Sequence, residues 1–225
     1  GERDDITHLF FAALAPASTL AGEVAPNLAM LRNVVEVVER ASPGFRRIIL
    51  NQGAKVYGSH LGKFRTPARE DDPRHLPPNF YYSQEDYLLE AQQGKDWDWV
   101  LVRPDVVCGF SVGSPMNLVN IIAVYASLCA RFRVPLSFPG GPLCYEALAQ
   151  VTDAGLHAEA QVWAAETPDC ALKAYNITNG DLFRWKHLWP RIAAFFGLEP
   201  GEPASLSLSA RLGDKGEAWK ELVQA

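Results

Sequence analysis

No glycine spacing of the GxGxxG kind occurs anywhere in the 225 residues. That turn is how a nucleotide-binding strand and helix present backbone amides to a pyrophosphate, so these residues do not hold a dinucleotide by that device. The four cysteines, Cys108, Cys129, Cys144 and Cys170, form no CxxC pair. Their wide spacing argues against a metal framework and fits buried thiols in a reducing compartment. Basic runs are missing as well: 21 Lys and Arg against 26 Asp and Glu leave a formal charge of −5, which is no electrostatic footprint for nucleic acid. No apolar run approaches the length of a membrane span, and the opening GERDDITHLFF has neither the basic nor the apolar part of a signal peptide. The expectation is a cytoplasmic protein with no membrane and no nucleic-acid partner. There is no internal repeat. What is present, 48% hydrophobic and 21% charged residues, is enough to bury one sizeable core.

Read in order, the chain alternates strand and helix. The nearly continuous apolar run Ile6 to Ala15, ITHLFFAALA, predicts a central strand buried on both faces of a parallel sheet. A crossover helix follows over Pro26 to Arg40, with Leu28, Leu31, Val34, Val35 and Val38 at helical spacing and Arg32, Glu36 and Glu39 on the other face. Arg46 to Asn51, RRIILN, is the next strand, and the three pieces form a right-handed parallel unit. Ligands of such sheets sit beyond the carboxyl ends of the strands, which is where Asn51 and Lys55 fall. Residues 56–78, with four prolines and many charges, predict a long loop returning to that edge.

Further on, Tyr82 to Gln93 predicts a helix and Trp97 to Val102 a strand ended by Arg103 and Pro104. Gly109 to Pro115 predicts a loop, and Met116 to Phe132 a long apolar helix, either buried or the face of a homodimer. A short strand at Leu136 to Phe138, a helix over Val151 to Glu166 made amphipathic by Leu156, Ala160, Val162 and Trp163, a strand at Ala174 to Thr178 and a helix over Trp185 to Phe196 capped by Gly197 follow. A loop-rich tail closes with a short helix near Trp219.

The chemistry concentrates in NFYYSQED, Asn79 to Asp86, where two tyrosines open a helix one connection after Lys55. A phenol is a poor acid or base near neutrality without a neighbouring cation, and a lysine ammonium is such a cation. The YxxxK spacing that puts both groups on one helix face is absent, since Tyr81 is followed four residues later by Glu85 and Tyr82 by Asp86. Lys55 is therefore the candidate cation. Taken alone, a tyrosine pair at a helix start is more often packing, and a lysine after a strand a solvated charge. Trp163, Trp185 and Trp189 read as core, His157 as polar helix surface, Cys108 as packing and Tyr82 as structural.

Ordered words across Ile6 to Gly197 change those odds. THLFFAALA, AMLRNVVEVV, KVYG, NFYYSQED, VLVRPDVVCGFS, SPMNLVN, HAEAQVWAA and AYNITNGDLFRWKHLWP resemble the progesterone 5β-reductase and iridoid synthase-like reductases, an atypical branch of the extended short-chain dehydrogenases. The resemblance implies an α/β, Rossmann-like parallel sheet with flanking helices, lacking its first βαβ unit and glycine-rich loop, which would lie upstream of residue 1. It implies a single reductase domain over 1–225, with parts of about 110–170 and 197–225 as a small substrate-side lobe. It also implies an NADPH (NADP+) cofactor, with Tyr81 and Lys55 catalytic. By the same resemblance Ala13, Asn51, Lys55, Tyr81, Val107, Ser114, Pro115 and Met116 are cofactor-contacting positions.

The family's phenylalanine beside the substrate has no direct counterpart, and Leu61 or Phe64 in GSHLGKF takes that place. RPDVV stands where the family has RPG, bringing Asp105 in. The activity implied is reduction of an α,β-unsaturated carbonyl: hydride goes to the β-carbon while Tyr81 stabilises charge on the carbonyl oxygen. Two alternatives compete. One is an epimerase or dehydratase, disfavoured by the missing YxxxK, and the other a silent NADP(H) sensor, which has no need of Lys55 and Tyr81 together.

Overall fold

The structure, a computed structural model, describes residues 4–111, 114 and 117–224. In chain order its strands are β1 (His8–Phe11), β2 (Arg47–Asn51), β3 (Asp98–Pro104), β4 (Val107–Cys108), β5 (Leu136–Ser137), β6 (Leu148–Ala149), β7 (Thr152–Asp153), β8 (Lys173–Ile177), β9 (Phe183–Arg184) and β10 (Pro200–Gly201). Its α-helices are α1 (Leu20–Ala41), α2 (Phe80–Ala91), α3 (Leu118–Phe132), α4 (Pro142–Glu146), α5 (Ala154–Glu166), α6 (Trp185–Phe195), α7 (Leu208–Leu212) and α8 (Gly216–Gln224). They fall into two compact units, one running to Asp105 and including Gly155–Thr178, the other Val106–Ala154 with Asn179 onward. No helix among the described residues is long and apolar enough to cross a membrane.

The first unit is built on a four-stranded parallel sheet in the order β1, β2, β3, β8. Both faces are covered, as continuous apolar strands require. Leu31, Val35 and Val38 of α1 and Leu88 of α2 pack with Ile48, Leu50 and Leu101 on one face. On the other, Ile49, Val100 and Val102 meet Ala164 and Ala165 of α5 and Cys170. Helix α1 starts before Pro26, because Thr19 caps it by accepting from the Gly22 amide at 3.1 Å, and Pro26 is carried inside the helix.

Two expectations need correction. The strand expected over Ile6 to Ala15 is ordered as a strand only over His8–Phe11 and pairs with β2 alone among the described residues. Among the described residues it stands first in the sheet order, and Phe10 is 47% exposed. The amphipathic reading of α5 is inverted: the helix buries His157, Ala164 and Ala165, while Leu156, Val162 and Trp163 lie on its exposed side. Polar anchoring accompanies this arrangement. Arg47, at the start of β2, donates through Nη1 to the carbonyls of Ala164 and Thr167 at 2.7 Å, while its fork pairs with Asp98. A buried guanidinium on the last carbonyls of a helix satisfies groups that have no intrahelical donor.

In the second unit, three two-stranded ladders pair β4 with β7, β5 with β10 and β6 with β9. Its core is Tyr125, Ala126, Cys129, Leu136, Phe138, Trp189 and Ala193. The Trp189 indole donates to the Leu136 carbonyl at 2.9 Å, so a large buried aromatic also has its polar edge satisfied. Helix α3 begins at Leu118, where Asn117 accepts from the Val119 amide. Of the cysteines, Cys129 and Cys170 are buried as expected, Cys108 is half-buried, and Cys144 is exposed.

Candidate active site

One carboxamide ties the two candidate catalytic residues together. Asn79 precedes α2, and its Oδ1 accepts from the Tyr81 amide at 3.0 Å, which caps the helix and fixes where Tyr81 emerges. Its Nδ2 donates to the carbonyl of Lys55 at 2.9 Å. Lys55 lies in a single 3₁₀ turn, Ala54–Tyr57, closed by Gly58 in the left-handed region at φ 80°. Other groups hold the same turn. His75 places Nε2 3.0 Å from the Lys55 carbonyl, and the Tyr82 hydroxyl donates to the Val56 carbonyl at 2.6 Å. Tyr82 is thus the structural member of the tyrosine pair.

The Tyr81 hydroxyl lies at the carboxyl ends of β2 and β3. A Cβ placed on Gly53 would stand 3.6 Å from that oxygen and 3.7 Å from the Pro104 carbonyl. Among the described residues the hydroxyl has no hydrogen-bond partner; the only hydrogen bonds of Tyr81 are made by its backbone. Burial, reinforced by the charge of Glu23, pushes its pKa up to about 12. At neutral pH the group is therefore a phenol able to donate, not a phenolate able to accept. Glu23 lies in the first turn of α1, is itself buried, and puts Oε2 3.7 Å from the Lys55 ammonium. The charge that acts on the phenol here is the Glu23 carboxylate.

Asn51, at the carboxyl end of β2, is held by α5. Its Nδ2 donates to Gln161 Oε1 at 2.8 Å and to the Phe11 carbonyl at 3.3 Å, and its Oδ1 lies 2.6 Å from His157 Nε2. The carboxamide is fully engaged within the protein, so Asn51 orders the strand end. His157 is only 7% exposed, contrary to its reading as surface, and burial lowers its pKa. Among the described residues its buried Nδ1 has no hydrogen-bond partner.

The remaining positions are spread along the chain. Ala13 is exposed in the segment after β1, which is anchored where Asn27 Oδ1 accepts from the Ala15 amide and Nδ2 donates to its carbonyl, at 2.8 and 2.7 Å. Leu61 and Phe64 are exposed in the long loop of the first unit, at 57% and 39%. Val107, in β4, and Ser114 belong to the second unit. Pro115 and Met116 lie outside the described residues. Cys108, beside Val107, has its thiol pushed up by burial and by Asp153, which is not the environment of a reactive thiolate.

Residues 1–219 match the model of the PRISE-like Rossmann-fold domain. The chain belongs to that family. Among curated proteins similar to this PRISE-like domain, the (S)-8-oxocitronellyl enol synthase CYC2 of Camptotheca acuminata is 39% identical, over 98% of this chain and 59% of its own. The 3-oxo-Delta(4,5)-steroid 5-beta-reductase of Arabidopsis thaliana is 36% identical over the same shares. The chain thus spans about three fifths of the length of these relatives. Among solved structures, RMD from Pseudomonas aeruginosa, complexed with NADPH, superposes with a TM-score of 0.67 at 18% identity, covering 92% of this chain and 73% of that one, which shows the shared fold.

Glu23, His75, Asn79 and His157 were not singled out as site residues from the sequence. Asn79 alone carried a local signal, a capping residue type immediately before a helix. Glu23 reads only as an acid near a helix start, and His157 as one polar residue in a helix. Their roles depend on which elements meet.

Proposed function

We propose that this PRISE-like domain is the catalytic part of an NADPH-dependent reductase acting on an α,β-unsaturated carbonyl compound. The observation that carries the proposal is the Tyr81 hydroxyl: a neutral donor at the carboxyl edge of the sheet, unpartnered among the described residues and tied through Asn79 to Lys55. The names of the two plant relatives support the substrate class, since a 3-oxo-Delta(4,5)-steroid is an enone.

The chain's own residues fit the nicotinamide end of such a cofactor. The sheet edge beside Tyr81 is kept open by a glycine, Gly53, and the Lys55 ammonium is partly solvent-exposed and able to donate to ribose hydroxyls. Bound there, the cofactor supplies hydride to the substrate β-carbon. As charge builds on the carbonyl oxygen, Tyr81 donates a hydrogen bond to it, and the buried setting makes that bond worth more than in water. A donor held protonated suits this step. Asn79 and His75 keep the Lys55 turn in register with the start of α2, and the Asn51–His157 contact orders the strand end below it.

NADPH consumption with a cyclic enone by the full-length protein tests the proposal, with Tyr81→Phe as control. Removal of one oxyanion donor is expected to lower kcat by a factor of about 10² to 10³, or roughly 3 kcal/mol. Full kcat in Tyr81→Phe would remove the phenol from the reaction, and no turnover by the wild type on any enone would sink the proposal itself.

A further inference from the structure

We propose that Glu23 is a positioning residue of the Lys55–Tyr81 pair: its buried carboxylate anchors the Lys55 ammonium and sets the charge that the Tyr81 phenol meets. The proposal rests on the enone-reductase reading for its catalytic meaning, though not for its geometry.

Three observations carry it. The first is burial. Glu23 is 9% exposed in the first turn of α1, where a carboxylate is ordinarily left to solvent, and its backbone carbonyl is already used by Asn27 Nδ2 at 2.7 Å. The second is direction: Oε2 stands 3.7 Å from Lys55 Nζ, so the acid on α1 and the lysine after β2 meet across the sheet edge. The third is that burial and the Glu23 charge together account for the raised pKa of Tyr81.

The other titratable groups facing this cluster are His60 and His75, from the loop after Lys55. They lie edge to ring at 5.4 Å, and His60 responds to His75, Lys55 and Glu23. His75 is committed to the backbone, with Nδ1 2.8 Å from the Leu76 carbonyl and Nε2 3.0 Å from that of Lys55. Glu23 is accordingly the one acid among the groups named here. A negative charge beside the phenol disfavours a second negative charge on it and so holds the donor in its neutral form. The same charge holds Lys55 on the α1 side until a cofactor hydroxyl competes for it. The arrangement favours reduction assisted by hydrogen-bond donation over oxidation of an alcohol by a phenolate base.

The test is the ionisation of Tyr81 itself, followed by ring-carbon NMR of labelled tyrosine in the full-length protein. Tyr81→Phe assigns the signal. In Glu23→Gln the Tyr81 midpoint is expected to move to lower pH, and in Glu23→Asp, which keeps the charge but withdraws it by one methylene, to move less in the same direction. An unmoved midpoint in either folded variant overturns the proposal, and Glu23→Asp serves where Glu23→Gln does not fold. Turnover is a separate readout. In the same variants the alkaline limb of the kcat profile should follow the Tyr81 midpoint. A wild type that consumes no NADPH refutes the reductase reading while the titration still decides the role of Glu23.

Discussion

Asn79 does two jobs with one carboxamide, and its substitutions test them. Asn79→Ala removes both the α2 cap and the bond to the Lys55 carbonyl, and is expected to cost about 1–2 kcal/mol of stability together with much of kcat. Asn79→Asp keeps an acceptor for the Tyr81 amide but has no donor for Lys55. Asn79 is buried, so the aspartate also sets a carboxylate oxygen against the Lys55 carbonyl; thermal melts should show a clear loss in both variants, while kcat falls in both. Unchanged stability in both variants would show that neither bond contributes. The family words pointed to Tyr81 and Lys55 without showing how they are held. That required knowing that the residue before the helix also reaches the preceding turn, which no spacing rule contains.

At the scale of elements, β2 grips α5 at both ends. Arg47 holds the last carbonyls of the helix, and Asn51 engages His157 and Gln161 nearer its start. Between these anchors the helix exposes Trp163 at 48% and buries small residues against Ile49 and Val100. Arg47→Met is expected to destabilise the protein by about 3–5 kcal/mol, since it leaves Asp98 and the carbonyls of α5 without their donor. Urea unfolding measures it, and a loss under 1 kcal/mol would show that water replaces the guanidinium at little cost. In the second unit, Trp189→Ala should cost about 3–5 kcal/mol, as expected for a fully buried aromatic that also satisfies a backbone carbonyl. Calorimetry would read it as a lowered Tm.

For the whole molecule, the pH dependence of stability follows from the buried His157 and the half-buried His60. His157 is lowered by burial, and His60 by burial first and then by His75 and Lys55. A depressed folded-state pKa means that, just below the ordinary imidazole value of 6.5, the unfolded chain binds protons which the folded one refuses. Stability is therefore full above that value and falls as pH drops through it toward the folded-state values. Glu39 is also depressed, chiefly by its hydrogen bond from Lys95, and adds a loss of the same sign below 4.5. Urea midpoints measured across this range should show a shallower decline near neutrality in His157→Gln than in the wild type. An unchanged slope would place the proton uptake elsewhere.

The strands of the four-stranded sheet, the helices over α1, α2 and α3, and the family of the chain were all legible in the sequence. They depend on apolar runs, helical periodicity and capping residues, each of which acts over a few neighbours. The words NFYY and KVY, which carry Tyr81 and Lys55, are local and so could be matched without the fold. Tertiary structure alone decided that α5 turns His157 inward. It alone brought Glu23, far upstream, into reach of the Lys55 ammonium. Burial and charge are properties of what surrounds a residue in space, and the carboxylate of one helix reaches an ammonium beyond a distant strand only after the fold has put them together.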